Sequence, residues 1–100
     1  MPKLNITIPH RLTQAEAAHR IHGLLGDLKA EHGDKIRDLK EEWDGHMGKF
    51  DCSIMGLRVS GILAINPAQV TITGSLPLAA MLFKGKLESM ITEHAAKLLA

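Results

Sequence analysis

Residues 50–77 read FDCSIMGLRVSGILAINPAQVTITGSLP, and apolar side chains recur there at every second position. The residues in this apolar phase are Phe50, Cys52, Ile54, Leu57, Val59, Gly61, Leu63, Ile65, Val70 and Ile72. A period of two over so many residues is typical of strands with one buried and one solvated face. Met55-Gly56 and Asn66-Pro67 interrupt the alternation, and Leu76-Pro77 ends it. The stretch therefore predicts three short strands folded back on one another.

The chain before this stretch predicts a strand and then a helix. Lys3 to Ile8 alternates in the same way and stops at Pro9. Thr13-Gln14-Ala15-Glu16 fits a capping box, which marks the start of a helix. The apolar stripe expected to face the sheet is Ala17, Ala18, Ile21, Leu24, Leu25 and Leu28. The helix is expected to run from Thr13 to Glu31, with Gly33 supplying a left-handed residue beyond its end.

Gly23 and Gly26 lie on the side of this predicted helix away from the apolar stripe. Each costs about 1 kcal/mol relative to alanine in a helix interior. They either permit the close approach of another chain or are simply tolerated, and simple tolerance is the interpretation we favour.

Lys35 to Trp43 fits two interpretations. Ile36, Leu39 and Trp43 are spaced like a continuing helix, whereas Leu39, Glu41 and Trp43 share one phase of a strand. The break at Gly33-Asp34 and the turn signal Asp44-Gly45 favour the strand. Glu41 would then point inward, either as an edge-strand charge that opposes aggregation or as the polar group of a cavity.

The last element is predicted to be a helix that begins at Pro77. Its expected core-facing stripe is Ala80, Phe83, Leu87, Met90, Ile91, His94 and Leu98. At 100° per residue, Leu78 and Leu82 lie about half a turn from that stripe. Since burying a leucine is worth roughly 1.5–3 kcal/mol, leaving both exposed is costly. Leu78, Met81 and Leu82, called the outer strip below, are therefore predicted to contact another subunit or an apolar body. Ordinary exposure or cover by a loop are the alternatives.

Composition limits the class of protein. One hundred residues predict a single domain, 1–100. The 12 basic and 11 acidic residues give a net charge of +1, and only three residues are Phe, Trp or Tyr, so nucleic-acid binding is not expected.

The longest apolar run, Leu76 to Phe83, is far shorter than the ~20 residues of a membrane span. Cys52 is expected to be a small buried hydrophobe rather than a reactive thiol. A lone cysteine without a leader-like segment favours the cytoplasm.

The sequence contains no convincing catalytic or metal-binding motif. His19 and His22 have a spacing that can share a metal ion, but no further ligand follows on the same face. Each of the other histidines, His10, His32, His46 and His94, is more readily explained as structural. There is no G-x-S-x-G elbow or phosphate-binding loop, and Glu41 and Glu42 face opposite sides of a strand. We therefore assign no catalytic, cofactor-binding or metal-binding residue, and we expect no enzyme activity.

The sequence resembles the polyhydroxyalkanoic acid system family over nearly its whole length. The motifs that carry the resemblance are Pro9-His10, the helix from Thr13 to Glu31, Trp43-Asp44-Gly45, Phe50, Gly56 with Gly61, Val70 with Ile72, Leu76-Pro77 and Phe83-Lys84-Gly85-Lys86. The resemblance implies a cytoplasmic protein linked to polyhydroxyalkanoate storage granules, with the granule surface or granule proteins as partners. A homodimer through the outer strip is also considered. It implies no catalytic residues and no cofactor.

The element order β-α-β-β-β-β-α also resembles a shortened helix-grip fold, an α+β fold in which a curved antiparallel sheet wraps a C-terminal helix. Two functions remain open. The first is a non-catalytic granule-associated protein that uses the outer strip. The second is a small carrier of apolar ligands, with Glu41, Trp43 and Phe50 at the mouth of a pocket between sheet and helix. A carrier needs an internal cavity of a few hundred Å³, whereas a surface protein does not.

Overall fold

The computed structural model describes residues 3–100, whose strands form one antiparallel sheet in the order β1-β5-β4-β3-β2. The strands are β1 Lys3–Pro9, β2 Ile36–Asp44, β3 Met47–Ile54, β4 Leu57–Ile65 and β5 Gln69–Ser75. The α-helices are α1 Gln14–Ile21, α2 Leu24–His32 and α3 Lys84–Leu99, and short 3₁₀ helices span Gly33–Lys35 and Leu78–Phe83. These elements confirm the predicted α+β fold with the order β-α-β-β-β-β-α and a helix-grip-like shape.

The turns fix the register of the sheet. Met55-Gly56 joins β3 to β4 as a two-residue turn, so Ile54 pairs with Leu57 and Phe50 pairs with Gly61. Asp44 pairs with Met47 in the same way, which confirms the turn predicted at Asp44-Gly45. The strand interpretation of Lys35 to Trp43 is also confirmed, with a bulge between Arg37 and Lys40.

The first helical region is two helices, whereas the pattern predicted one from Thr13 to Glu31. The Thr13 hydroxyl accepts a hydrogen bond from the Glu16 N–H at 3.1 Å, but the Glu16 carboxylate pairs with Arg20 instead of closing the capping box. The break falls at His22-Gly23. A Cβ on Gly26 would meet nothing within 4 Å, and one on Gly23 would lie 3.8 Å from Asp27 Oδ2, so neither glycine serves a close approach within this chain. The low helix propensity of Gly23 explains the break, whereas Gly26 is tolerated inside α2. Both α1 and α2 contact α3.

The last helix begins later than predicted. Pro77 is extended, the 3₁₀ helix Leu78–Phe83 follows, and α3 starts only at Lys84. A 3₁₀ helix has 3.0 residues per turn, so it shifts the phase of the α-helix that continues it. The buried residues of α3 are Leu87, Ile91, Ala95 and Leu99. Of the predicted core stripe, four residues are only half-buried: Phe83, Met90, His94 and Leu98.

The core lies between one face of the sheet and the three helices. Its largest fully buried side chains are Leu4, Ile21, Leu24, Leu63, Ile65, Val70, Ile72 and Leu76. Cys52 is also buried, at 3% exposure. Every residue that the Phe50–Ile72 alternation placed inside, apart from the half-buried Leu57 and Gly61, is buried as predicted.

Candidate functional site

The space between the sheet and α3 is almost filled. The cavity there measures about 20 Å³, within a lining that includes Leu25, Phe50, Leu63 and Ile91. A single water needs roughly 10–15 Å³, and ligand pockets are usually several hundred Å³. Within residues 3–100, the interior therefore has no room for an apolar ligand in this conformation.

The three residues predicted at a pocket mouth do not surround an opening. Phe50 is 6% exposed, and its ring covers Gly61, where an added Cβ would lie 2.8 Å from Phe50 Cζ. Trp43 covers Gly48 in the same way and contacts the His22 ring, with the two ring centroids 4.2 Å apart. These contacts close the surface over the core rather than open it.

Glu41 lies on edge strand β2 opposite Phe50, and so on the helix-facing side of the sheet. The residue is exposed, but partial burial of its carboxyl group raises the pKa of Glu41 above the ordinary 4.5. A hydrogen bond with the Trp43 side chain and the nearby His22 oppose that rise. With no cavity behind it, Glu41 fits the role of an inward charge on an edge strand.

Glu41→Gln is expected to stabilise the protein slightly near pH 7. Because the folded-state pKa is raised, the folded protein holds this proton more tightly than the unfolded chain does. Stability from this group is fully present below about pH 4.5 and is lost as the pH rises through the folded pKa. Thermal unfolding from pH 4 to pH 7 should therefore show a smaller decline for Glu41→Gln than for the wild type. Glu42→Gln, on the other face of β2, serves as the charge-matched control. A Glu41→Gln variant less stable than the wild type at pH 7 would mean that the Trp43 and His22 contacts dominate.

The outer strip lies at the surface. Leu78 is 74% exposed, Met81 is 55% exposed and Leu82 is 98% exposed. Of the 3₁₀ helix that carries them, only Ala80 is buried, while Leu76 anchors the preceding residues in the core. Residues 76–87 contain two lysines, Lys84 and Lys86, and no acidic residue. That the outer strip contacts a partner stays a prediction.

An apolar groove of about 200 Å³ lies beside the outer strip, and the sequence pattern did not predict it. It runs between the start of α3, the β3–β4 turn and the chain that joins α2 to β2. Its apolar residues include Ile54, Met55, Phe83 and Met90, and its basic residues are His32, Lys35 and Lys86. The sequence signal was Met55, since asparagine or glycine is usual before glycine in a two-residue hairpin turn.

The outer face of the sheet has a broad open depression of about 760 Å³ with mixed charges. Lys3, Lys40, Lys49 and Glu42 line it, together with Asp51, which pairs with Arg58 at 2.9 Å. Basic and acidic groups alternate there, so the depression favours no single class of charged ligand.

Two of the histidines, His10 and His94, have structural contacts. His10 Nε2 lies 2.9 Å from the Asn66 carbonyl oxygen, and its Nδ1 accepts a hydrogen bond from the Leu12 N–H at 3.1 Å. His94 lies between Asp27 at 3.6 Å and Glu31 at 3.3 Å, and so links α3 to α2. In the described part of the chain, no group of three or more potential ligands could hold a metal ion. No helix there is long and apolar enough to cross a membrane.

Fold and surface together define a small α+β protein with a closed core, an exposed apolar strip and an apolar groove with a basic rim. The chain belongs to the family of polyhydroxyalkanoic acid system proteins, whose family model matches residues 4–99. No curated protein matches it. Among solved structures, the crystal structure of TTHA0849 from Thermus thermophilus is similar at 12% identity over 98% of this chain and 92% of that chain. The TM-score of that pair is 0.35, which is too low to inform function.

Proposed function

We propose that this protein is a non-catalytic component of the polyhydroxyalkanoate storage system that adsorbs to the apolar granule surface through Leu78, Met81 and Leu82. The observation that carries the proposal is the exposure of this strip, which reaches 98% at Leu82, in a chain of the polyhydroxyalkanoic acid system family. Larger exposed apolar patches on soluble proteins usually mark interaction sites. Such a role would place the protein in the cytoplasm with the granules.

The energetics favour reversible adsorption. Burying three apolar side chains would contribute at most roughly 4.5–9 kcal/mol, at about 1.5–3 kcal/mol each. Association costs an estimated 4–15 kcal/mol in lost freedom of motion. The strip alone therefore gives weak binding, which suits a protein that covers a surface when polymer is abundant and leaves it otherwise.

The absence of catalysis is part of the proposal. Within residues 3–100, the hydrogen bonds of the His10 ring go to backbone groups, and His94 faces two carboxylates. Neither ring is placed to activate a hydroxyl or thiol nucleophile, which is the usual arrangement for acyl transfer.

Leu78→Glu/Leu82→Glu is expected to lose binding to protein-free polyhydroxyalkanoate particles. Two carboxylates in the contact would each have to be desolvated, so the bound fraction in a sedimentation assay should fall by about tenfold or more. Met47→Glu is the matched control. Met47 is 50% exposed and lies at the opposite end of β3 from the β3–β4 turn, so this variant should sediment like the wild type.

Two outcomes would overturn direct adsorption. If the wild type binds isolated granules but not protein-free particles, the partner is a granule protein. If gel filtration shows a wild-type dimer that Leu78→Glu/Leu82→Glu converts to a monomer with particle binding unchanged, the outer strip is a subunit contact. Circular dichroism of each variant establishes that the fold is retained.

A further inference from the structure

The groove beside the outer strip combines an apolar lining with a basic rim. Ile54, Met55, Phe83 and Met90 contribute apolar surface, and the groove volume is about 200 Å³. At roughly 30 Å³ for each water-sized group, it holds about seven such groups. This volume accommodates a short aliphatic chain and is too small for a folded peptide.

The rim is positively charged and unpaired. His32, Lys35 and Lys86 line the groove, and none of the acidic residues in the described part of the chain does. None of the ion pairs within residues 3–100 involves these three side chains. Glu31 and Glu93 share the neighbouring depression with His32 and Lys86. Glu31 is engaged by His94 at 3.3 Å, and Lys97 lines the same depression as Glu93. The rim therefore favours an anionic group, and the apolar lining favours a hydrocarbon chain attached to it.

Met55 is held in the groove at a conformational cost. Its φ is +52° and that of Gly56 is +83°, a turn in which asparagine-glycine is the favoured pair. The Met55 side chain is nevertheless 60% exposed, and its backbone N–H donates to the Lys35 carbonyl at 2.8 Å. A long apolar side chain therefore occupies a strained turn position without being buried. The Met55 N–H to Lys35 carbonyl hydrogen bond joins this turn to the segment that carries the basic rim residue Lys35. Strain of this kind is most often kept at binding sites.

We propose that the groove binds one unbranched acyl chain of about six to eight carbons, with its carboxylate at the His32, Lys35 and Lys86 rim. The proposed occupant is a single-chain carboxylate anion. One or two cationic donors are enough to bind a carboxylate, and the groove is too small for a two-chain lipid. The site uses none of Leu78, Met81 and Leu82, so it stands independently of granule adsorption.

The test is a titration of the ¹⁵N-labelled full chain with octanoate, followed by NMR. Saturable shifts are expected at the amides of Met55, Phe83 and Lys86. Lys35→Gln/Lys86→Gln should weaken octanoate binding by about tenfold and leave the binding of octan-1-ol unchanged. Octylammonium, with the same chain and the opposite charge, should bind more weakly than octanoate. Lys97→Gln, on the same helix but outside this groove, is the matched control.

Met55→Asn provides the second variant, and it should remain folded. Asparagine suits the left-handed turn, so Tm should rise by about 4–8 °C, while the lost apolar surface weakens octanoate binding. Leu78→Glu/Leu82→Glu should bind octanoate like the wild type, which separates this site from granule adsorption. Shifts confined to Leu78 and Leu82, shifts at the interior residues Val59 and Leu63, or equal affinity for octanoate and octylammonium would each overturn the proposal.

Discussion

Gly61→Ala is expected to destabilise the protein by about 3 kcal/mol, at the upper end of the cost of overpacking. A Cβ on Gly61 would lie 2.8 Å from both the Gly74 Cα and Phe50 Cζ, and it would also overlap the Thr73 carbonyl oxygen. The β5 backbone cannot retreat without breaking its ladder with β4, and the Phe50 ring is buried. For a 100-residue domain, this loss should lower Tm by about 12–24 °C.

Gly26→Ala is the matched control, with the opposite sign. A Cβ on Gly26 meets nothing within 4 Å, and the residue lies inside α2. Alanine should therefore raise stability by about 0.5–1 kcal/mol through helix propensity. Urea unfolding of the two variants measures both effects. A Gly61→Ala variant as stable as the wild type would show that β4 and β5 can separate locally at this point.

The place of Gly61 beneath Phe50 could have been derived from the sequence. With Met55-Gly56 as a two-residue turn, the hairpin register pairs Ile54 with Leu57 and so, four residues further from the turn, Phe50 with Gly61. Alternation alone treats Gly61 as one more residue of the apolar phase. The strand register also identifies Phe50 as the cross-strand neighbour of Gly61, and the Phe50 ring explains why position 61 holds no side chain.

The sequence could predict the strands, because the alternation of buried and exposed residues is a local property of a strand and does not depend on what the strand packs against. It could not predict the start of α3. The composition of residues Leu78 to Phe83 suits an α-helix as well as a 3₁₀ helix. Which of the two forms depends on how Leu76 and Ala80 are buried. The predicted exposure of Leu78 and Leu82 was still correct, because both residues lie on the side away from Ala80 in a 3₁₀ helix as in an α-helix.

The groove lay beyond sequence reasoning for a different reason. Lys35, Met55 and Lys86 come from three segments far apart in the chain, and only tertiary packing brings them to one groove. Local periodicity reports which face of an element is buried, not which elements meet at an edge. The unusual Met55 was visible in the sequence, but its meaning required the positive φ and the exposed side chain.

Cys52 is expected to resist thiol labelling in the native protein by at least about a thousandfold relative to the unfolded chain. Burial, followed by the Asp51 carboxylate, raises the pKa of Cys52 to about 11, with Arg58 opposing the rise. Only about 0.1% of the thiol is then ionised at pH 8, against roughly a quarter of an unperturbed cysteine with a pKa of about 8.5. The side chain is also only 3% exposed, so a bulky reagent must wait for the strand to open. The rate of reaction with a disulfide reagent such as dithiobis-nitrobenzoate, with and without denaturant, measures the ratio.

Gly61→Ala turns this labelling rate into a test of how the thiol becomes accessible. If Cys52 reacts only through global unfolding, a loss of about 3 kcal/mol should accelerate labelling by roughly a hundredfold. If β3 opens locally near its pairing with β4, the rate should change far less than stability does. Global unfolding is the expected route, because Cys52 pairs with Val59 between buried neighbours on both strands. Rapid labelling of the native wild type, at the rate of a free thiol, would contradict both the burial of Cys52 and its raised pKa.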